Sequence, residues 1–81
     1  MPNQITIDVR SPEDLGRAIA ELRRGRGLTQ EEVAETLGVT RSVIAHLERG
    51  RHGRTLGRIL LLLRRLGATI TITAEVPDGE A

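Results

Sequence analysis

The tightest constraint in the sequence is a pair of short helical segments with punctuation at every end. Thr29-Gln30-Glu31-Glu32 is a capping box: the Thr29 hydroxyl is placed to accept from the Glu32 amide, and the Glu32 carboxylate to reach back. Val33, Ala34 and Leu37 give this segment an inner face, and Gly38 ends it. Thr40 is placed to cap a second segment, whose apolar positions are Val43, Ile44 and Leu47 and which Gly50 closes. Only the three residues Gly38-Val39-Thr40 link the two.

The flanks divide as clearly. Ile5, Ile7 and Val9 alternate with Thr6 and Asp8, which predicts a strand over 4–10. Ser11-Pro12-Glu13-Asp14 opens a helix with a cap, a proline at the first helical position and acids on the positive end of the dipole. Leu15, Ala18, Ile19 and Leu22 follow on one face, and the helix stops near Gly25. Thr55 is expected to cap a last helix with Leu56, Ile59, Leu60 and Leu63 on one stripe and Leu66 beside it. Leu61 points to the side shared with Arg58 and Arg65 and is a contact candidate. Thr69 to Val76 alternates strictly and predicts a second strand, ended by Pro77-Asp78-Gly79. The expectation is one mainly α domain over 1–81, with helices at about 12–25, 30–37, 41–49 and 56–66 between short terminal strands at 4–10 and 69–76.

Composition narrows what such a domain does. With no Cys, thiol catalysis, zinc-thiolate sites and disulfide frameworks are excluded. With no Phe, Trp or Tyr there is no stacking platform for single-stranded nucleic acid. His46 and His52 are six apart across Gly50, which is not the spacing a metal takes on a helix, and no acid completes a site. Glu32 is explained by its capping box and Glu31 and Glu35 by an exposed face, so no catalytic residue, metal or cofactor is expected. The longest apolar run, Ile59 to Leu63, is too short for a membrane, and no secretory signal is visible, so the chain reads as cytoplasmic. All twelve basic residues are arginine. Ten lie between Arg23 and Arg65 against four glutamates, so that the middle is +6 while the flanks are −5. A cationic middle with acidic ends is the footprint of a polyanion partner, although biased codon usage also yields an arginine-rich surface.

Two short helices joined by a three-residue turn, the second followed by a basic loop, form the helix-turn-helix pattern. In that unit the second helix presents its N-terminal end to base edges. Thr40, Arg41 and Ser42 supply that end and His46 shares the face. Arg pairs bidentately with guanine O6 and N7, and Ser and Thr bond to bases or phosphates. Gln30, at the start of the preceding helix, is placed to hold a phosphate. Arg49, Arg51, His52 and Arg54, just before the last helix, are phosphate candidates at about two to one over a solvated loop. Arg24 and Arg26 are evenly balanced, and Arg64 and Arg65 complement a helix C-terminus.

Leu22-Arg23-Arg24, Gly27-Leu28-Thr29-Gln30-Glu31-Glu32-Val33-Ala34, Leu37-Gly38-Val39-Thr40 and Ile44-Ala45-His46-Leu47-Glu48-Arg49-Gly50 together resemble the Cro/CI, or XRE-type, helix-turn-helix family over roughly residues 15 to 66. The resemblance implies a four-helix DNA-binding domain with Thr40, Arg41, Ser42 and His46 facing bases and Gln30 on a phosphate or base. It also implies a structural salt bridge between Arg23 and Glu48. A fourth helix leading into Leu66-Gly67-Ala68-Thr69-Ile70-Thr71-Ile72 resembles HipB-type antitoxins. That likeness implies dimerisation through strands and a HipA-like kinase toxin as partner.

A domain this small buries only about 60 to 65% of its extended-chain surface, so association is expected early. Four strands, two per subunit, would bury Ile5, Ile7, Val9, Ile70, Ile72 and Val76 together in a symmetric dimer, with an intrachain two-stranded sheet as the alternative. The expected function is a dimeric repressor reading a palindromic duplex, as the antitoxin of a HipA/HipB-like module acting on its own promoter. The alternatives are a stand-alone regulator and a module that binds only protein.

Overall fold

The computed structural model describes residues 3–77. Six elements run in order: β1 (Asn3–Val9), α1 (Pro12–Gly25), α2 (Gln30–Leu37), α3 (Arg41–Glu48), α4 (Arg54–Arg65) and β2 (Ile70–Val76). The expected turn Pro77-Asp78-Gly79 lies mostly outside the described residues.

Helix starts follow the caps for α1 and α2. The Ser11 hydroxyl accepts from the Asp14 amide at 3.1 Å, and both halves of the Thr29–Glu32 box are made, at 3.0 and 2.8 Å. The Arg10 amide donates to the Asp14 carboxylate at 2.9 Å. That bond, with the Arg17 ion pair, holds the Asp14 carboxyl below its usual range. Gly38, with a left-handed backbone, closes α2.

The second pair of helices departs from expectation at its caps. Thr40 occupies the N-cap of α3 but bonds no amide there; its hydroxyl lies 3.2 Å from the Ser42 hydroxyl, which competes for it. Helix α3 ends at Glu48, one residue early, with Arg49 as its C-cap. Helix α4 starts at Arg54, and Gly53 rather than Thr55 is its N-cap. A φ of 81° at Gly53 reverses the chain immediately before Arg54, which places Thr55 inside the first turn. It ends at Arg65, with Leu66 as its C-cap.

Among the described residues Val9, Ala18, Ala20, Ala34, Ile44, Ala45 and Leu60 form the buried apolar core, and Ile44 is the one large side chain fully enclosed. Four of these seven are alanines, because the helices approach closely. A Cβ at Gly16 would fall 2.5 Å from the Glu48 carbonyl oxygen and 2.6 Å from that of Leu47, so α1 lies backbone to backbone against the end of α3. The face of α1 that meets α3 is therefore Gly16, Ala20 and Arg23. Leu15, Ile19 and Leu22, the bulky positions of the sequence pattern, are only half-buried.

The two strands pair with each other antiparallel, in a register running from Asn3 opposite Val76 to Val9 opposite Ile70. Each strand thus finds one partner within its own chain, as in the intrachain alternative, and among the described residues its other edge stays unpaired. Ile5, Ile7, Ile70, Ile72, Ala74 and Val76 share one face and are half-buried, and Val9 is buried. Helix α4 also differs from its expected stripe. Leu60 is buried, with Leu56 and Leu63 half-buried, but Ile59 and Leu66 are 47% and 71% exposed. With Leu62, 57% exposed, they form a second, outward stripe at i, i+3, i+7, turned about 95° from the inner one. Leu61 is exposed on a different side.

Candidate nucleic-acid interface

Helix α3 presents Arg41, Ser42 and His46 to solvent, with Thr40 at its head. Ile44 and Ala45 turn inward, and Leu47 is half-buried. The inner residues lock α3 against α1 and α2, so the outer ones stand on a rigid element.

Beneath this face lies a single polar network. The Arg23 guanidinium meets the Glu48 carboxylate side-on, with Nε donating to Oε2 at 2.6 Å and Nη2 to Oε1 at 3.1 Å. The pair implied by the family resemblance is therefore present, and its two side chains are only 11% and 7% exposed. Arg23 Nη1 also donates to the Leu28 carbonyl at 2.9 Å, tying down the loop between α1 and α2. Hydrogen bonding from Arg23, and next from Gln30, holds the Glu48 carboxyl below its ordinary range; Glu48 in turn raises the guanidinium pKa. Gln30 Nε2 donates to Glu48 Oε1 at 2.9 Å, and Arg41 Nη1 donates to Gln30 Oε1 at 2.8 Å.

A cleft of about 390 Å³ opens over this network, and Arg17, Arg24, Gln30, Arg41, Glu48 and Arg49 are among the residues that line it. It gathers Gln30, Arg41 and Arg49, which the sequence had nominated, with Arg17 and Arg24. Arg24 is evenly balanced in the sequence, and Arg17 is new to the set. The signal was available: residues 17, 20, 21 and 24 fall on one face of a helix. Arg26 is drawn elsewhere, its Nη2 donating to the Glu75 carbonyl of β2 at 3.3 Å.

The loop between α3 and α4 is less uniform than its sequence. Arg51 and Arg54 are exposed, and Arg54 opens α4. His52 is half-buried with Nε2 3.1 Å from the Pro12 carbonyl; a carbonyl only accepts, so Nε2 carries the proton and the ring pins this loop to the start of α1. Among the described residues no group of His, Asp and Glu is arranged to hold a metal ion, and no helix is long and apolar enough to cross a membrane.

The chain matches known proteins over this architecture. A family model described as a helix-turn-helix domain covers residues 14–76. The uncharacterised HTH-type transcriptional regulator y4dJ of Sinorhizobium fredii is 39% identical over 69 residues, which span 80% of this chain and 90% of that protein. A second regulator of the same organism, y4mF, is 33% identical over 66 residues, 82% of this chain and 87% of its own. An HTH-type regulator of Methanothermobacter thermautotrophicus is 49% identical over 49 residues, 60% of this chain and 71% of its own. No solved structure gives a significant match.

Proposed function

This chain belongs to the helix-turn-helix domain family, and we propose that it is a DNA-binding transcription regulator that reads a palindromic duplex as a homodimer and represses the promoter it occupies. The observation that carries this reading is the tethered, exposed N-terminal end of α3 beside a cleft rimmed by Arg17, Arg24, Arg41 and Arg49. Thr40, Arg41, Ser42 and His46 meet base edges. Arg49, Arg51 and Arg54 meet phosphates, where charge without base preference sets position and register. His52 gives its Nε2–H to the Pro12 carbonyl, and its Nδ1 donates to a phosphate only when the ring carries a second proton.

The dimer is supported by surface that one chain leaves uncovered. The apolar face carrying Ile5, Ile7, Ile70, Ile72 and Val76 is half-buried, and α4 shows Ile59, Leu62 and Leu66, with Leu61 on its far side. A second copy places two α3 helices about 34 Å apart, one turn of DNA. The finer reading is a HipA/HipB-type antitoxin repressing its own promoter, and it rests on the succession of α4 and β2. Recovery of a kinase-like partner from the native extract supports it; a homodimer recovered alone favours a stand-alone regulator.

Duplex binding is tested by titrating salt against the affinity for a sequence selected from a randomised pool and for a scrambled copy. Log K falls linearly with log salt for both, and the selected duplex binds roughly 10³-fold tighter or more. A chain that binds neither duplex is a protein-binding module instead.

A further inference from the structure

His52 turns one ring nitrogen into the chain and the other out of it. Its Nε2 lies 3.1 Å from the Pro12 carbonyl, which only accepts, so the neutral ring carries its proton on Nε2 and leaves Nδ1 a bare lone pair. Among the described residues no hydrogen bond reaches Nδ1, and no polar side-chain atom is both buried and without a partner, so Nδ1 opens to solvent. Exposed Arg51 and Arg54 flank the ring in the chain. The loop that carries it is fixed from behind, because a Cβ at Gly50 would fall 2.9 Å from the Glu13 Cα.

We propose that His52 binds a DNA backbone phosphate as the doubly protonated imidazolium, so that DNA binding takes up a proton at this ring. This rests on the reading of the chain as a DNA-binding regulator. A lone pair on Nδ1 repels a phosphate oxygen, whereas an Nδ1–H donates to it and brings a charge. The proton comes from solvent and bonds to Nδ1; no other bond breaks, and Nε2 donates to Pro12 in both states. The ring therefore changes from acceptor to donor without turning. The other titratable and charged groups on the elements that meet here are Glu13 and Asp14 on α1, His46, Glu48 and Arg49 at the end of α3, Arg51 in the loop, and Arg54 and Arg58 on α4. Asp14 is engaged by the Arg10 amide and Arg17, and Glu48 by Arg23. That leaves Glu13 to favour a charged ring against the arginines that oppose it. A phosphate reverses this balance, since it offsets the arginines and sets a negative charge at Nδ1. Protonation is thus tied to occupancy of the site.

The test measures proton uptake by calorimetry, with the full chain and a duplex selected from a randomised pool, in buffers of differing ionisation enthalpy. Near pH 7 the wild type takes up about half a proton or more per half-site in excess of His52→Gln. Glutamine keeps an N–H for the Pro12 carbonyl but turns a carbonyl, which donates at no pH, to the other side. Any share from His46 cancels in the difference. The affinities of the two chains nearly converge at about pH 8.5 and part by about tenfold per half-site at about pH 6. Independently of any variant, the ¹⁵N shift of His52 Nδ1 in the wild type moves toward that of a protonated nitrogen when DNA is added near pH 7. No excess uptake, an unmoved shift, or an equal loss of affinity at every pH would overturn the inference and leave His52 as a pin for the loop, with duplex binding intact. If no duplex in the pool is bound, DNA reading itself fails and the inference falls with it.

Discussion

The α1–α2–α3 unit and the α4–sheet unit are built to different degrees of completion. In the first, both leading helices have side-chain caps, the pair joining α1 to α3 is nearly closed to solvent, and Gly16 lets two backbones touch. In the second, α4 has no side-chain cap, the apolar face of the sheet is half-covered, and a groove of about 470 Å³ lies open between Val9, Ile70, Leu60 and Leu63. Beside it α4 exposes Ile59, Leu62 and Leu66. The difference lies in the caps, the ion pair and the close backbone approach rather than in exposed apolar surface, since the first unit also leaves Leu37 and Val43 exposed; the second unit, on the proposed reading, is completed against another copy.

The first way to break that contrast is to cut the ion pair. Arg23→Ala leaves the Glu48 charge without its main partner and removes the anchor of the α1–α2 loop, at a cost of about 3 kcal/mol, the low end for a buried pair. Chemical denaturation at neutral pH measures it. The loss depends on pH. The Glu48 carboxyl is depressed in the fold, so its contribution is fully present above the ordinary glutamate value of 4.5 and is lost as pH falls through the folded value. Denaturation midpoints of the wild type therefore fall below pH 4.5, those of Arg23→Ala fall less, and the gap between them narrows in acid.

Next in size is Gly16→Ala. Its methyl would meet two carbonyl oxygens of α3 rather than yielding side chains, so the helices must part, at a cost of about 2 kcal/mol. A smaller loss would mean that α1 and α3 slide freely. Thr29→Ala removes the capping box of α2 and costs about 1 kcal/mol. The smallest effect belongs to the other unit: Leu62→Ser changes the unfolding free energy of dilute monomer by less than about 0.5 kcal/mol, because the side chain is 57% exposed. A large loss there would show that the stripe is already covered within the chain.

Legibility in the sequence follows the same division. Elements α1 and α2 were placed to the residue because their ends are set by local chemistry, Ser11-Pro12 and Thr29 with Glu32. Helix α4 was misplaced at its start, since a backbone reversal at Gly53 leaves no trace beyond the glycine itself. Its stripe was misread because Leu and Ile fall on both sides of the helix, and periodicity does not tell an inner row from an outer one. Gly16 and Ala20 went unnoticed as packing positions, because small residues add nothing to an apolar pattern even where they decide how near two helices come. In the candidate site, Arg41 is legible from its place at a helix start and Arg49 from the basic loop before the last helix, whereas the engagement of Gln30 by Glu48 and of His52 by Pro12 depends on tertiary approach.

The division of labour between the two units is tested most directly by comparing a selected palindrome with its half-site, for the wild type and for Leu62→Ser combined with Ile59→Ser. The wild type should bind the palindrome about 10²-fold or more above the half-site, since the second recognition helix is delivered by the first. The double variant should keep its half-site affinity and lose that advantage, while light scattering shows it as a monomer. A variant that stays dimeric and binds the palindrome normally would contradict the assignment of α4 to the dimer. Equal loss on both sites would contradict the independence of the DNA-reading unit.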